Sequence, residues 1–221
     1  MRNLYVTLDT ETFGGATNPK GVYHVGGQIH DRNGEVYASF NYLIAEHFCE
    51  IDKDEYAKKN FHRYLSMVAD GEATMIATEA DAIHAIDTLL NYFGVKYVMA
   101  FNSGFDYCKT CCRELLEGRQ FIDIWLMAVQ ILGKRKSYLD FCHKHNFKSK
   151  SGKSVATNAE AFFAFISKNP FYHEEHTALE DAKIERQIFA ACVKAHKPYT
   201  KNCHFYDFDK KWELFQPFAV A

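Results

Sequence analysis

Apolar and polar positions change period several times along the chain, and each change marks an element. Residues 4–11, LYVTLDTE, are rich in β-branched and aromatic side chains and predict a strand that ends on acids. Residues 21–44 hold two further strand-like runs that meet at Asn33-Gly34, a strong hairpin signal, so three antiparallel strands open the chain. From Glu46 to Glu79 the text becomes charged and helix-compatible, which predicts one or two helices covering the sheet, or a lid. Ala82, Ile83, Ile86, Leu89, Leu90 and Phe93 follow a helical period over 78–94, from a Thr-x-x-Asp cap to Gly94. Residues 95–102 predict a strand, 106–118 a helix, and 121–132 a strand end running into a helix. Two more helices are predicted at 157–167 and 176–196. The order βββ–α–β–α–(β)–α–α implies an α/β fold with a mixed sheet.

Composition narrows the class. At 221 residues the chain fits one domain, with 48% hydrophobic and 24% charged residues, ordinary values for a globular protein. The formal charge of −2 gives no global sign of polyanion binding. One segment departs from that average. Between 133 and 153, Lys134, Arg135, Lys136, Lys144, Lys148, Lys150 and Lys153 face only Asp140, a local net charge of +6. Such a run suits a phosphate backbone, and it also fits a solvated loop without a partner. No apolar run approaches the roughly 20 residues needed to cross a bilayer, and the chain opens on a strand rather than a leader. The expectation is a cytoplasmic protein with no membrane association. Seven cysteines, an odd number without regular spacing, read as reduced thiols. The CKTCC and CHKH stretches lack the regular spacing of a zinc finger, and neither a P-loop nor a G-x-S-x-G elbow is present.

The candidate chemistry lies in acids placed where the chain should bury itself. Asp9 and Glu11 share a strand parity and so point to one face of the sheet. Asp106 follows VMAFNSGF at a strand-to-helix junction, where it also reads as a helix cap. Asp181 sits on the last helix among Ala178, Ala182, Ile184 and Ile188, with His176 five residues earlier. Taken singly, each has an ordinary structural reading. Together they are the donor set that hard cations such as Mg²⁺ and Mn²⁺ prefer, beside a histidine suited to deprotonating water.

The ordered motifs LDTET, FNSGFDY and HTALEDA resemble the three exonuclease motifs of the DEDDh 3′→5′ exonuclease family. That family includes proofreading epsilon-type subunits, oligoribonuclease and ribonuclease T. The likeness covers residues 4 to 195 or so, and the H-x₄-D spacing is that of the histidine branch. It implies a ribonuclease-H-like α/β fold, with a mixed central sheet of about five strands flanked by helices. It implies one exonuclease domain over 1–221, with 46–80 and 133–157 as elaborations near the active site. Two divalent ions, Mg²⁺ or Mn²⁺, would be held by Asp9, Glu11, Asp106 and Asp181, with His176 as general base. Asn102 would touch the substrate, and Lys134, Arg135 and Lys136 its backbone. Thr12 and Phe13 would line the terminal nucleotide. Phe13 replaces the threonine common in relatives, and either stacks on the terminal base or packs inward. The implied partner is a DNA or RNA 3′ end, single-stranded; a homodimer or a polymerase partner is also compatible with the family. The aromatic stretch 204–220 would dock on the domain or on a partner. The rival readings are a non-catalytic nucleic-acid or partner-binding module on the same fold, and an endonuclease using the same metals.

Overall fold

The computed structural model describes residues 3–14, 19–48 and 58–196. Gly15, the stretch 49–57 and the aromatic C-terminal tail lie outside the described residues. The predicted strands form β1 (Tyr5–Phe13), β2 (Gly21–His30), β3 (Val36–Ile44), β5 (Tyr97–Ala100) and β6 (Gln120–Asp123). A sixth, β4 (Thr74–Ile76), is an addition to the expected five: it lies inside the region read as helical cover. Three residues are too few for a period to show. The sheet runs β4-β3-β2-β1-β5-β6. β1, β2 and β3 pair antiparallel, while β5 and β6 add on parallel to β1, and β4 parallel to β3.

Local sequence explains most of the boundaries. Between β2 and β3, Asp31 Oδ1 accepts the Asn33 and Glu35 N–H groups (2.7 and 3.1 Å), and Gly34 takes the left-handed φ of 87° that the turn requires. Helices α1 (Ala45–Phe48) and α2 (Phe61–Ala69) lie beyond β3. α3 (Glu79–Phe93) is capped by Thr78 and ends at Gly94 with φ 63°. The helix predicted over 106–118 is α4 (Gly104–Lys109), broken at extended Thr110 and continued as a 3₁₀ turn over Cys111–Leu116. α5 (Ile124–Ala128) starts on Asp123, whose side chain caps the Leu126 N–H, and a π-helical turn follows it. The basic segment carries α6 (Lys136–His145), which charge alone did not reveal. α7 (Ala159–Ser167) and α8 (Ala178–Lys194) are the last elements among the described residues. No helix among the described residues is long and apolar enough to cross a membrane.

One face of the sheet packs Val6, Leu8, Val25 and Ile29 with Ile83, Ile86 and Leu90 of α3. A second core joins Met99 and Ile122 to Tyr138, Phe162, Ile184 and Ile188. The position of α8 depends on a missing side chain. Gly26 pairs with Asp9, and a Cβ there would lie 2.3 Å from the Leu179 backbone nitrogen. Only glycine lets the first turn of α8 rest on β2 beside Asp9.

Candidate active site

β1 delivers Asp9 and Glu11 to the face that α8 covers, and the first turn of α8 adds Asp181. One carboxylate oxygen from each of the three lies within 4.8 Å of the others. After Glu11 the register with β2 slips past Tyr23, from Glu11↔His24 to Thr12↔Val22, so the acidic pair ends at a bulge. Asp181 Oδ1 is buried and has no hydrogen-bond partner. Such an oxygen is costly to bury unless a cation or donor joins it.

Electrostatics record the same crowding. Burial, then the charges of Glu185, Asp106, Asp181 and Glu11, hold the Asp9 carboxyl well above the usual range. Glu11 is raised by burial and then by Asp181, Asp106 and Glu174. Asp181 is pushed up to about 8, mainly by burial and then by Glu174, with the field of Arg63 opposing. Carboxylates crowded in this way bind protons, or a divalent cation in their place.

Asp106, expected in the ligand set, lies beside these three. It is buried, and its Oδ1 accepts the Thr10 hydroxyl at 2.6 Å, on the edge of β1 that β5 leaves free beyond Thr7↔Met99. Burial raises it to about 7, against that hydrogen bond. Its field reaches Asp9 and Glu11, yet it stands outside the group of three. His176 is exposed just ahead of α8 with a left-handed φ of 53°, and its carbonyl accepts the Tyr64 hydroxyl at 3.3 Å. Arg63 of α2 binds the neighbouring Glu175 through its carbonyl (3.1 Å) and carboxylate, so α2 holds the approach to α8.

A cleft of about 520 Å³ opens over these acids, lined by Asp9, Asn102, Trp125, Lys150, Glu174 and Asp181 among others. Asn102, expected to touch the substrate, lines this cleft. Thr12 is half-buried at the bulge. Phe13 packs against the cluster of Tyr23, Leu43, Phe48 and Tyr64, with its ring centroid 5.5 Å from that of His47, so the structure takes the inward reading. The basic triplet lies elsewhere. Arg135 lines a separate hollow of about 720 Å³ with Lys144 and Lys168, Lys136 pairs with Asp140 at 2.7 Å, and Lys134 is exposed. Lys150, on the loop beyond α6, is the cation of that segment that lines the cleft.

Two cleft acids escaped the sequence reading. Glu174 is raised to about 7 by burial and by Glu160. Glu185, one turn beyond Asp181, is 3% exposed and accepts the Phe101 N–H at 3.1 Å. Its spacing of four from Asp181 was the available signal, because i and i+4 share a helix face.

No protein-family model matches this chain, and no curated protein does. Solved structures do resemble it. A full-length 3′-exonuclease superposes over 100% of this chain and 91% of its own, at TM-score 0.61 and 11% identity. Exonuclease I from Methylocaldum szegediense matches 89% of this chain at TM-score 0.54 and 18% identity. E. coli exonuclease I, in complex with a 5cy-dT13 oligonucleotide, matches 90% at TM-score 0.54 and 14% identity. The chain spans 41% of the length of each of those two. Its fold is thus the ribonuclease-H-like α/β architecture that these exonuclease structures share, as the resemblance of the motifs implied.

Proposed function

We propose that this chain is a divalent-metal-dependent 3′→5′ exonuclease that releases nucleoside 5′-monophosphates from single-stranded DNA or RNA ends. The observation that carries the reading is the convergence of Asp9, Glu11 and Asp181 within 4.8 Å in a 3′-exonuclease fold. The donor set fits Mg²⁺ or Mn²⁺: all oxygens, all carboxylates, and one of them buried without a partner. Asp9, Glu11 and Asp181 would hold the ions, with Asp106 beside them. When bound, two such ions polarise the scissile phosphate and lower the pKa of an attacking water.

The chain's own residues supply the remaining work. His176 accepts the proton of the attacking water on its imidazole nitrogen. Water oxygen joins phosphorus as the bond to the neighbouring 3′ oxygen breaks, and that oxygen takes a proton to become the new 3′ hydroxyl. Lys150 offsets backbone charge, Asn102 orients the terminal nucleotide, and Trp125 offers a face on which a base can stack. A cleft of this volume suits a nucleotide.

Asp9→Asn tests the assignment. Because such ions contribute several kcal/mol to the transition state, Mn²⁺-dependent nucleotide release from a 3′-labelled oligonucleotide should fall on the order of 10³-fold. A blocked 3′ end should stop release by the wild type. Unchanged release by Asp9→Asn sinks the catalytic reading, and persistent cutting of blocked ends makes the protein an endonuclease.

A further inference from the structure

Glu185 has no task in the chemistry above, yet it occupies the least favourable place for a carboxyl. It is 3% exposed in a cleft already holding Asp9, Glu174 and Asp181. Burial and then the charges of Asp106 and Asp181 push it well above the usual carboxylate range. A buried acid among acids is retained where its hydrogen bond does something that an apolar residue cannot.

That bond reaches the turn between β5 and α4. Glu185 Oε2 accepts the N–H of Phe101, the first residue after β5. Two residues on, the N–H of Ser103 goes to Asp123 Oδ2 at 2.9 Å, and the Ser103 hydroxyl donates to the Ala100 carbonyl at 2.8 Å. The turn is thus gripped at both ends by buried carboxyl groups from opposite elements, α8 and β6. Between the grips lies Asn102, held at the left-handed φ of 65° and lining the cleft. Three residues after Ser103 comes Asp106, docked on Thr10.

We propose that Glu185 is a positioning residue. Through the Phe101 amide it ties the helix carrying Asp181 to the turn carrying Asn102 and Asp106, so that the two halves of the cleft keep one spacing. The inference rests on the exonuclease reading of the cleft for its functional consequence, but the tie itself is independent of it.

The tie depends on an acceptor oxygen and not on charge, so Glu185→Gln and Glu185→Met separate the two. Gln keeps an acceptor, whereas Met keeps the volume and accepts no comparable bond. Three quantities are read: hydrogen exchange of residues 100–106, Mn²⁺ affinity by calorimetry, and kcat and KM on a 3′-labelled oligonucleotide. In Glu185→Met, exchange at Phe101 should speed up, and kcat should fall about 10–100-fold with a raised KM, the range for residues that orient ligands in metal sites. Glu185→Gln should restore protection and hold kcat within a few-fold of wild type. If Gln keeps the protection but loses activity and Mn²⁺ affinity as Met does, Glu185 is a metal ligand and the proposal falls. Wild-type exchange and kinetics in Met also overturn it. Should Met fail to fold, Gln alone decides: loss of protection at Phe101 or of kcat contradicts the tie. If wild type itself releases no nucleotide, the exonuclease reading fails while the exchange measurement still judges the tie.

Discussion

On the face that α3 covers, β1 and β2 present Val6, Leu8, Val25 and Ile29, all buried against aliphatic side chains. On the face that α8 covers, the same two strands present Thr7, Asp9, Glu11, His24, Gln28 and His30. The first face holds by area: each buried aliphatic side chain contributes about 1.5–3 kcal/mol, whatever its exact neighbour. The second holds by named pairs. Thr7 meets His30 Nε2 at 2.8 Å, and Arg186 Nε donates to Gln28 Oε1 at 2.8 Å and through Nη1 to the Gly34 carbonyl. Each such bond nets only about 1 kcal/mol, but those of Arg186 are satisfied in one placement of α8 and no other. The apolar face supplies stability; the polar face supplies position, and it is the one that carries the acids.

The helix starts repeat the contrast. α3 is capped from within its own sequence: Thr78 Oγ1 accepts the Asp81 N–H at 3.1 Å. α8 also starts on a threonine, but Thr177 makes no side-chain cap bond and its buried hydroxyl has no partner. Instead His24, from β2, accepts the Ala178 N–H on Nδ1 at 3.3 Å. Its Nε2–H is given to Asn41 Oδ1 at 2.6 Å, and Asn41 donates onward to the Glu72 carbonyl at 2.9 Å. Burial lowers the His24 pKa to about 4, so the ring is neutral and can accept.

Substitutions can break this contrast in order of severity. Gly26→Ala should act most strongly, since its Cβ would meet the α8 backbone at 2.3 Å. A loss of about 3 kcal/mol by chemical denaturation is expected, with reduced nucleotide release as Asp181 moves away from Asp9. His24→Ala leaves the Ala178 N–H and Asn41 Oδ1 unpaired, at about 2 kcal/mol. The folded pKa near 4 lies below the unfolded 6.5, so between them the unfolded chain binds more protons. The stability His24 contributes is therefore complete above pH 6.5 and declines toward pH 4. The gap between wild type and His24→Ala should narrow over that interval, and a constant gap would mean that His24 is not neutral in the fold. Thr78→Ala should cost least, about 1 kcal/mol. It should leave nucleotide release unchanged, because α3 lies on the face without acids.

The same division separates what could be read in advance from what could not. β1 and its paired acids were legible because strand parity is local, and α3 because its cap and its Gly94 stop are local. His176 and Asp181 were singled out by their spacing, and the structure brings Asp181 to Asp9 and Glu11. Glu174 and Glu185 were not singled out: Glu174 lies in the irregular stretch before α8, where no period applies, and only the i+4 spacing from Asp181 pointed Glu185 to the cleft. The direction of the basic triplet was hidden for a related reason: a net charge of +6 gives a segment its sign but not its direction, and Arg135 lines a different hollow.

The motif resemblance implied which acids would meet, while local chemistry along the chain was enough to settle most of the alternation of strands and helices and the apolar side of the sheet. Those depend on periods of two and of 3.6 residues, which the order of residues contains. The seating of α8 on Gly26, its cap from a histidine 154 positions away, the docking of Asp106 on Thr10 and the inward turn of Phe13 were decided only in three dimensions. Each is a contact between distant segments, and its energy exists only once the chain has closed the loop between them.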